Sequence, residues 1–224
     1  MSEHHLPIHE LIDTKLGYPD NLLKSDFHPA VLRVRGEIIP QDRQAVSIVG
    51  SRDASEYGKE MTEFFASELA KAGITIISGM ARGIDSIAHR AALEVGGRTI
   101  AVLGSGLDVI YPPEHGGLYR EIVKYGAVVS EFSDDTPPFK QNFLQRNLTI
   151  IGLSKAVLVI EGTQKSGTLF TGNRAAEMGR EVFALPHPVD SPAQYVPNRL
   201  ISLGSSVAES PSHIIEFLRK VDCS

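Results

Sequence analysis

The chain has 224 residues, 42% of them hydrophobic and 22% charged, enough to bury the core of one large α/β domain. A formal net charge of −5 argues against a generally basic nucleic-acid coat, yet allows a local cationic pocket on an acidic body. One cysteine, Cys223, excludes an internal disulfide, and no apolar run reaches the roughly 18 residues of a bilayer span, so a cytoplasmic protein with no membrane role is expected.

Residues 1–40 carry few periodic signals and read as a lead-in packed on a main domain that occupies 41–224. A short strand is expected at 30–34. His4, His5, His9 and His28 lack the fixed spacing of a metal site, and no metal or cofactor is expected. From Ala45 the pattern turns regular. Apolar runs at 45–49, 75–77, 99–103, 127–130, 156–160 and 182–185 read as strands. Between them, Met61, Phe64, Phe65, Leu69 and Ala72 recur at helical spacing, as do Ile84, Ile87, Ala88 and Ala91. Further helices are expected around 118–123, at 143–153, from 168 to about 178, at 196–203 and at 213–221. Near-continuous apolar strands alternating with amphipathic helices predict a doubly wound, mostly parallel sheet covered on both faces, a Rossmann-like α/β fold in three layers.

Ligands of such sheets bind outside the carboxyl ends of the strands, so the strand-end loops carry the functional argument. The richest spans 76–89, Ile-Ile-Ser-Gly-Met-Ala-Arg-Gly-Ile-Asp-Ser-Ile-Ala-His. Gly79 and Gly83 can take positive φ, the following helix start favours an anion, and Arg82 adds a forked charge. Gly50-Ser51-Arg52 ends the first strand of the series, Gly104-Ser105-Gly106 with Asp108 the third, Glu131 the fourth, and 161–168 the fifth. Arg52, Arg82, Lys140 and Arg146 are candidate phosphate contacts, and Ser166-Gly167-Thr168 offers a second anion site at a helix start. The absence of the full Gly-x-x-x-x-Gly-Lys-Ser/Thr run argues against a P-loop, and the missing third glycine against a classical dinucleotide site.

Catalytic constellations are poor. There is no Gly-x-Ser-x-Gly elbow, His89 reads as a structural partner for the loop before its helix, and His115 and His187 have no recognisable acid partner in the sequence. Glu131 and Glu161 are the best acid–base pair on offer, although strand-end carboxylates more commonly bind backbone amides. No enzymatic activity is expected.

Taken together, the blocks resemble the DNA-processing protein A family (DprA, also called Smf). The matching strings are 48–52 (Ile-Val-Gly-Ser-Arg), 78–85 with Ala88-His89, 100–108 with Tyr111-Pro112, Ser130-Glu131, Phe143 with Arg146-Asn147, 152–154, 166–169 and 179–184. Tyr18-Pro19 and Arg35-Gly36 match the family's lead-in, and the order is kept over about 18–205. The resemblance implies an extended Rossmann fold that binds single-stranded DNA, protects it during natural transformation, assists loading of a RecA-type recombinase, and works as a homodimer without metal or cofactor. It further implies that Arg52, Arg82, Arg146 and Lys140 hold phosphates. Ser51, Gly79, Gly106, Ser166 and Thr168 would then donate from loops, and Asn147 and Asp85 orient them. Gly50, Gly83, Gly104 and Gly167 complete the expected site. The chain departs from the family's Phe-Pro-x-Arg-Asn-Arg run at Leu144 and Leu148, and also at Gly172, His187 and Val196. A second reading is a nucleotide-binding protein, or a phosphoribohydrolase-like enzyme acting on nucleoside monophosphates, loosely echoed at 161–168 but without that group's Pro-Gly-Gly-x-Gly-Thr run.

Overall fold

The computed structural model describes residues 6–222; His4, His5 and Cys223 lie outside them. In chain order the elements are β1 (Ile8–Ile12), α1 (Asp20–Leu23), β2 (Val31–Gly36), β3 (Ala45–Val49), α2 (Glu56–Lys71), β4 (Thr75–Ser78) and α3 (Ile84–Glu94). There follow β5 (Thr99–Val102), α4 (Gly116–Tyr125), β6 (Ala127–Ser130), α5 (Lys140–Leu153), β7 (Ala156–Val159), α6 (Thr168–Glu177), β8 (Glu181–Ala184), α7 (Tyr195–Ser202), β9 (Ser206–Val207) and α8 (Pro211–Asp222). Among the described residues, nine strands form one sheet in the order β1-β2-β6-β5-β4-β3-β7-β8-β9. The chain therefore winds outward from β3 through β4, β5 and β6. It then crosses back to β7 on the other side of β3, which is the doubly wound pattern. All pairings from β6 to β9 are parallel, and every residue of β3, β4, β5, β6 and β7 is buried.

In the lead-in, β2 matches the strand expected at 30–34, whereas β1 carries no periodic signal. β1 and β2 are antiparallel to each other, and β2 is antiparallel to β6, so residues 8–36 extend the same sheet. β1 escapes a pattern search because Ile-His-Glu-Leu-Ile on an edge need bury only part of one face. β9 has two residues and α1 four, too short for any period. The lead-in is locked by Leu22, fully buried with Tyr18 in the cluster under α5, and by Arg98, whose guanidinium donates to both oxygens of buried Asp42 at 2.9 Å and to Glu37 O at 2.8 Å.

Helices cover both faces. One apolar layer joins Leu22, Leu32, Ile77, Val102, Ile150 and Val159; the other joins Ile48, Phe65, Leu69, Ile76, Ile84, Leu158 and Phe183. A cavity of about 260 Å³ lies between the lead-in and the sheet, lined by Tyr18, Asn21, Ile38, Arg43, Ile77 and Leu153. Its buried carboxylate, Asp42, is already taken by Arg98, Thr75 Oγ1 and the Ile39 amide. The smaller crevice at the opposite, carboxyl ends of the strands is where this fold class places ligands.

Candidate functional site

The crevice opens beyond the ends of β3, β4 and β5. It is lined by the small residues Gly79, Ala81, Gly104 and Ser105, by the cations Arg52 and Arg82, and by Tyr111, Pro112 and Phe143. Arg52 and Arg82 are both exposed. Arg52 Cζ lies 5.2 Å from the centroid of the Phe143 ring, within cation–π range, and the rings of Tyr111 and Phe143 are 5.7 Å apart at a 51° tilt. Two cations beside two partly exposed aromatic rings suit a ligand that carries both phosphates and flat bases.

The loop from 79 to 83 is held by its own neighbours. Gly83 takes φ +71° as expected, and a Cβ there would strike the backbone of Ser51 and Arg52. In the first half of the loop the left-handed residue is Met80, at φ +55°, and not Gly79. That backbone strain, on the order of 1–3 kcal/mol, is retained because Met80 is fully buried and His115 Nδ1 meets its carbonyl at 2.9 Å. Gly79 is required for a different reason: a Cβ would fall on the guanidinium of Arg146. Asp85, 7% exposed, accepts from the amides of Gly79 at 3.2 Å and Ala81 at 3.4 Å, and the Ile84 amide donates to Ser51 O at 3.1 Å. Burial holds the Asp85 carboxyl above its ordinary pKa against the opposing pull of Arg146. Three amides of the expected phosphate cradle are thus already satisfied within the protein, which leaves the side-chain cations as the main phosphate donors.

Arg146 differs from expectation. It is 4% exposed, and its Nη1 donates to Gly79 O at 2.5 Å and Val102 O at 2.7 Å while Nε donates to Asn147 Oδ1 at 3.1 Å. Asn147 in turn donates to Thr171 Oγ1 at 2.9 Å, so both residues connect elements and neither faces the crevice as a phosphate donor. A signal was present in the sequence: Asn142, Arg146, Ile150 and Leu153 fall on one helical face, and all four are buried. Lys140 is exposed on the first turn of α5, three residues before Phe143.

The other expected donors also sit elsewhere. The Gly106 amide donates to Thr136 O at 2.8 Å, and a Cβ at Gly106 would meet the carbonyls of Ser133 and Asp134; this glycine packs a turn and does not line the crevice. Gly50 is small because Ile84 lies against it, and Gly104 because the Phe143 ring does. Ser51 Oγ is engaged with the backbone of Asp53. Ser166, Gly167 and Thr168 begin α6 outside the crevice lining. Glu161, fully buried, accepts from the Ser55 amide at 3.0 Å and its hydroxyl at 2.6 Å, closing the gap between the β3 and β7 ends. Glu131 accepts from Thr149 at 2.8 Å and Gln145 at 2.6 Å, and burial raises its pKa. Glu114 is the residue the sequence reading missed: its Oε1 is 2.5 Å from Arg82 Nε, which holds the Glu114 carboxyl below its usual range. Nothing local in Pro-Pro-Glu-His announces that pairing, which spans 32 positions. Among the described residues no group of three or more His, Cys, Asp or Glu is placed to hold a metal, and no helix is long and apolar enough to cross a membrane.

A family model described as DNA recombination-mediator protein A matches residues 11–219. Protein Smf of Escherichia coli K12 is 45% identical over 216 residues, which cover 95% of this chain and 58% of that protein; the chain thus spans little more than half of that relative. The X-ray structure of DNA processing protein A from Streptococcus pneumoniae superposes with a TM-score of 0.89 at 35% identity, covering 93% of this chain and 74% of that one. DNA processing protein A from Helicobacter pylori, whose structure is described as showing a single-stranded DNA binding mode, gives a TM-score of 0.85 at 30% identity and covers 98% and 99%.

Proposed function

Since the chain belongs to the DNA recombination-mediator protein A family, we propose that it binds single-stranded DNA across the strand-end crevice, with Arg52 and Arg82 on phosphates and Phe143 and Tyr111 as base platforms. The observation that carries this reading is the convergence of two exposed arginines with two partly exposed aromatic rings in one crevice. Base stacking on aromatics tolerates any sequence, so the expected binding is sequence-independent and salt-sensitive. Lys140, exposed one turn before Phe143, would extend the cationic track.

The reading is of a binding protein and not an enzyme. It is supported by the two acids best suited to hydrolysis being committed to neighbours, Glu161 to Ser55 and Glu131 to Thr149 and Gln145. The same commitment of Glu161 weighs against a phosphoribohydrolase. Protection of incoming strands, delivery to a RecA-type recombinase, a homodimeric state and a cytoplasmic location follow as proposals from family membership alone.

Binding of oligothymidine, followed by fluorescence anisotropy from low to moderate salt, tests the reading. Each of Arg52→Ala and Arg82→Ala is expected to weaken binding and to flatten the slope of log K on log salt by about 0.7, the value of one lost single-strand phosphate contact. Absence of binding by the wild type, or unchanged affinity in both variants, would sink it.

A further inference from the structure

We propose that Arg146 is a positioning residue: from beneath the crevice it ties the ends of β4 and β5 together, and so sets the separation at which Arg52 and Arg82 face a phosphate chain. The inference rests on the single-strand reading above and adds a division of labour among its arginines.

The geometry separates two kinds of arginine. Arg52 and Arg82 are exposed and reach solvent. Arg146 is buried, and its Nη1 bridges two carbonyls from different strand ends: Gly79 O, just past β4, and Val102 O, the last residue of β5. A side chain that bridges two carbonyls fixes the distance between the segments that bear them. Gly79 is held from its other side too, since its amide donates to Asp85. The loop carrying Arg82 is therefore clamped at its first residue between a buried cation and a buried carboxylate, which also attract each other.

The brace continues through α5. Arg146 Nε donates to Asn147 Oδ1, Asn147 Nδ2 donates to Thr171 Oγ1 on α6, and Thr171 Oγ1 donates to Gly167 O at the head of that helix. Phe143 lies one turn earlier on α5, its ring 5.8 Å from Arg146 Cζ and 5.2 Å from Arg52 Cζ. A single helix thus carries both the aromatic platform and the brace that registers it against the β4 and β5 ends. Burying an arginine is costly unless its donors are satisfied, and here two backbone carbonyls take Nη1 and Asn147 Oδ1 takes Nε. Substitution by lysine would keep the charge and lose the fork, because an ammonium cannot span Gly79 O, Val102 O and Asn147 together.

The test exploits that difference. Arg146→Lys and Arg146→Gln are both expected to lose on the order of tenfold in affinity for oligothymidine, with the salt slope unchanged from wild type. Arg52→Ala, in the same series, flattens the slope. A flattened slope in Arg146→Gln together with wild-type affinity in Arg146→Lys marks a direct phosphate contact and overturns the proposal. Should the Arg146 variants fail to fold, Asn147→Ala, at a half-buried position, removes the Nε acceptor and makes the same comparison. Residue-resolved hydrogen exchange on the free protein needs no DNA: the Gly79 and Ala81 amides are expected to exchange faster in Arg146→Lys and at the wild-type rate in Arg52→Ala. Unchanged exchange in Arg146→Lys overturns the brace even if DNA binds. A wild type that binds no DNA overturns the single-strand reading and leaves the exchange result to decide the brace.

Discussion

Arg82 is engaged before any ligand arrives, because Glu114 sits 2.5 Å from its Nε. Both side chains are largely exposed, so the pair adds little to the fold and its main effect is on whatever Arg82 binds next. A phosphate entering the crevice must displace or bypass that carboxylate, whose lowered pKa keeps it charged through the neutral range. Glu114→Gln is therefore expected to tighten oligothymidine binding severalfold at low salt, with the gain fading as salt rises; anisotropy titrations check this, and equal or weaker binding would contradict it. The residue scale is also where the sequence was least legible. Arg52 and Arg82 were readable as crevice cations because they follow strands directly. Glu114 was not, since its contact exists only after α3 and α4 have docked.

The elements themselves were largely legible, because strands and helices alike carry their burial in their spacing. β2 falls on the strand expected at 30–34; the exceptions are short or marginal elements such as β1, an edge strand held by β2 with too few buried residues for a local window to find. Docking of α3 shows how elements are held polar to polar. His89, fully buried, presents Nδ1 to Thr99 Oγ1 on β5 at 2.6 Å, and that hydroxyl donates to Ile76 O on β4 at 2.7 Å. Burial, reinforced by the charge of Arg146, lowers the His89 pKa to about 3 from 6.5. The folded protein thus holds this imidazole neutral while the unfolded chain protonates it. The contribution is fully present above about pH 6.5 and is lost progressively as pH falls toward 3. Between pH 7 and 4.5 the loss is on the order of 2–3 kcal/mol from this group alone. The raised carboxyls of Asp85 and Glu131 act in the opposite sense, so the comparison belongs between wild type and His89→Gln. Thermal melts across that range are expected to fall more steeply for the wild type; parallel curves would refute the assignment.

At the scale of the whole molecule, an acidic body with a net charge of −5 carries its candidate cations at one end of the sheet, so attraction of a polyanion is local and sharply salt-dependent. The cavity at the opposite end shares none of those cations. Fold class followed from the alternating pattern because parallel strands buried on both faces cannot hide their composition. The site followed only in part, because identical residue types serve as grip or as brace according to burial, and Arg52 and Arg146 illustrate both.

The strand order also sets a timetable. β3 sits inside the sheet, sixth of its nine strands, yet one of its two neighbours, β7, is made about 110 residues later, and β2 waits about 95 residues for β6. Such non-local pairing slows folding and leaves a long interval in which the edge of β3 is open. A chain ending at residue 150 is expected to lack a cooperative melt and to aggregate, even though it contains β4, β5, β6 and nearly all of α5; a sharp thermal transition in that fragment would contradict it. On a ribosome, the strand that ends beside Arg52 would be among the first parts made and among the last to find its place.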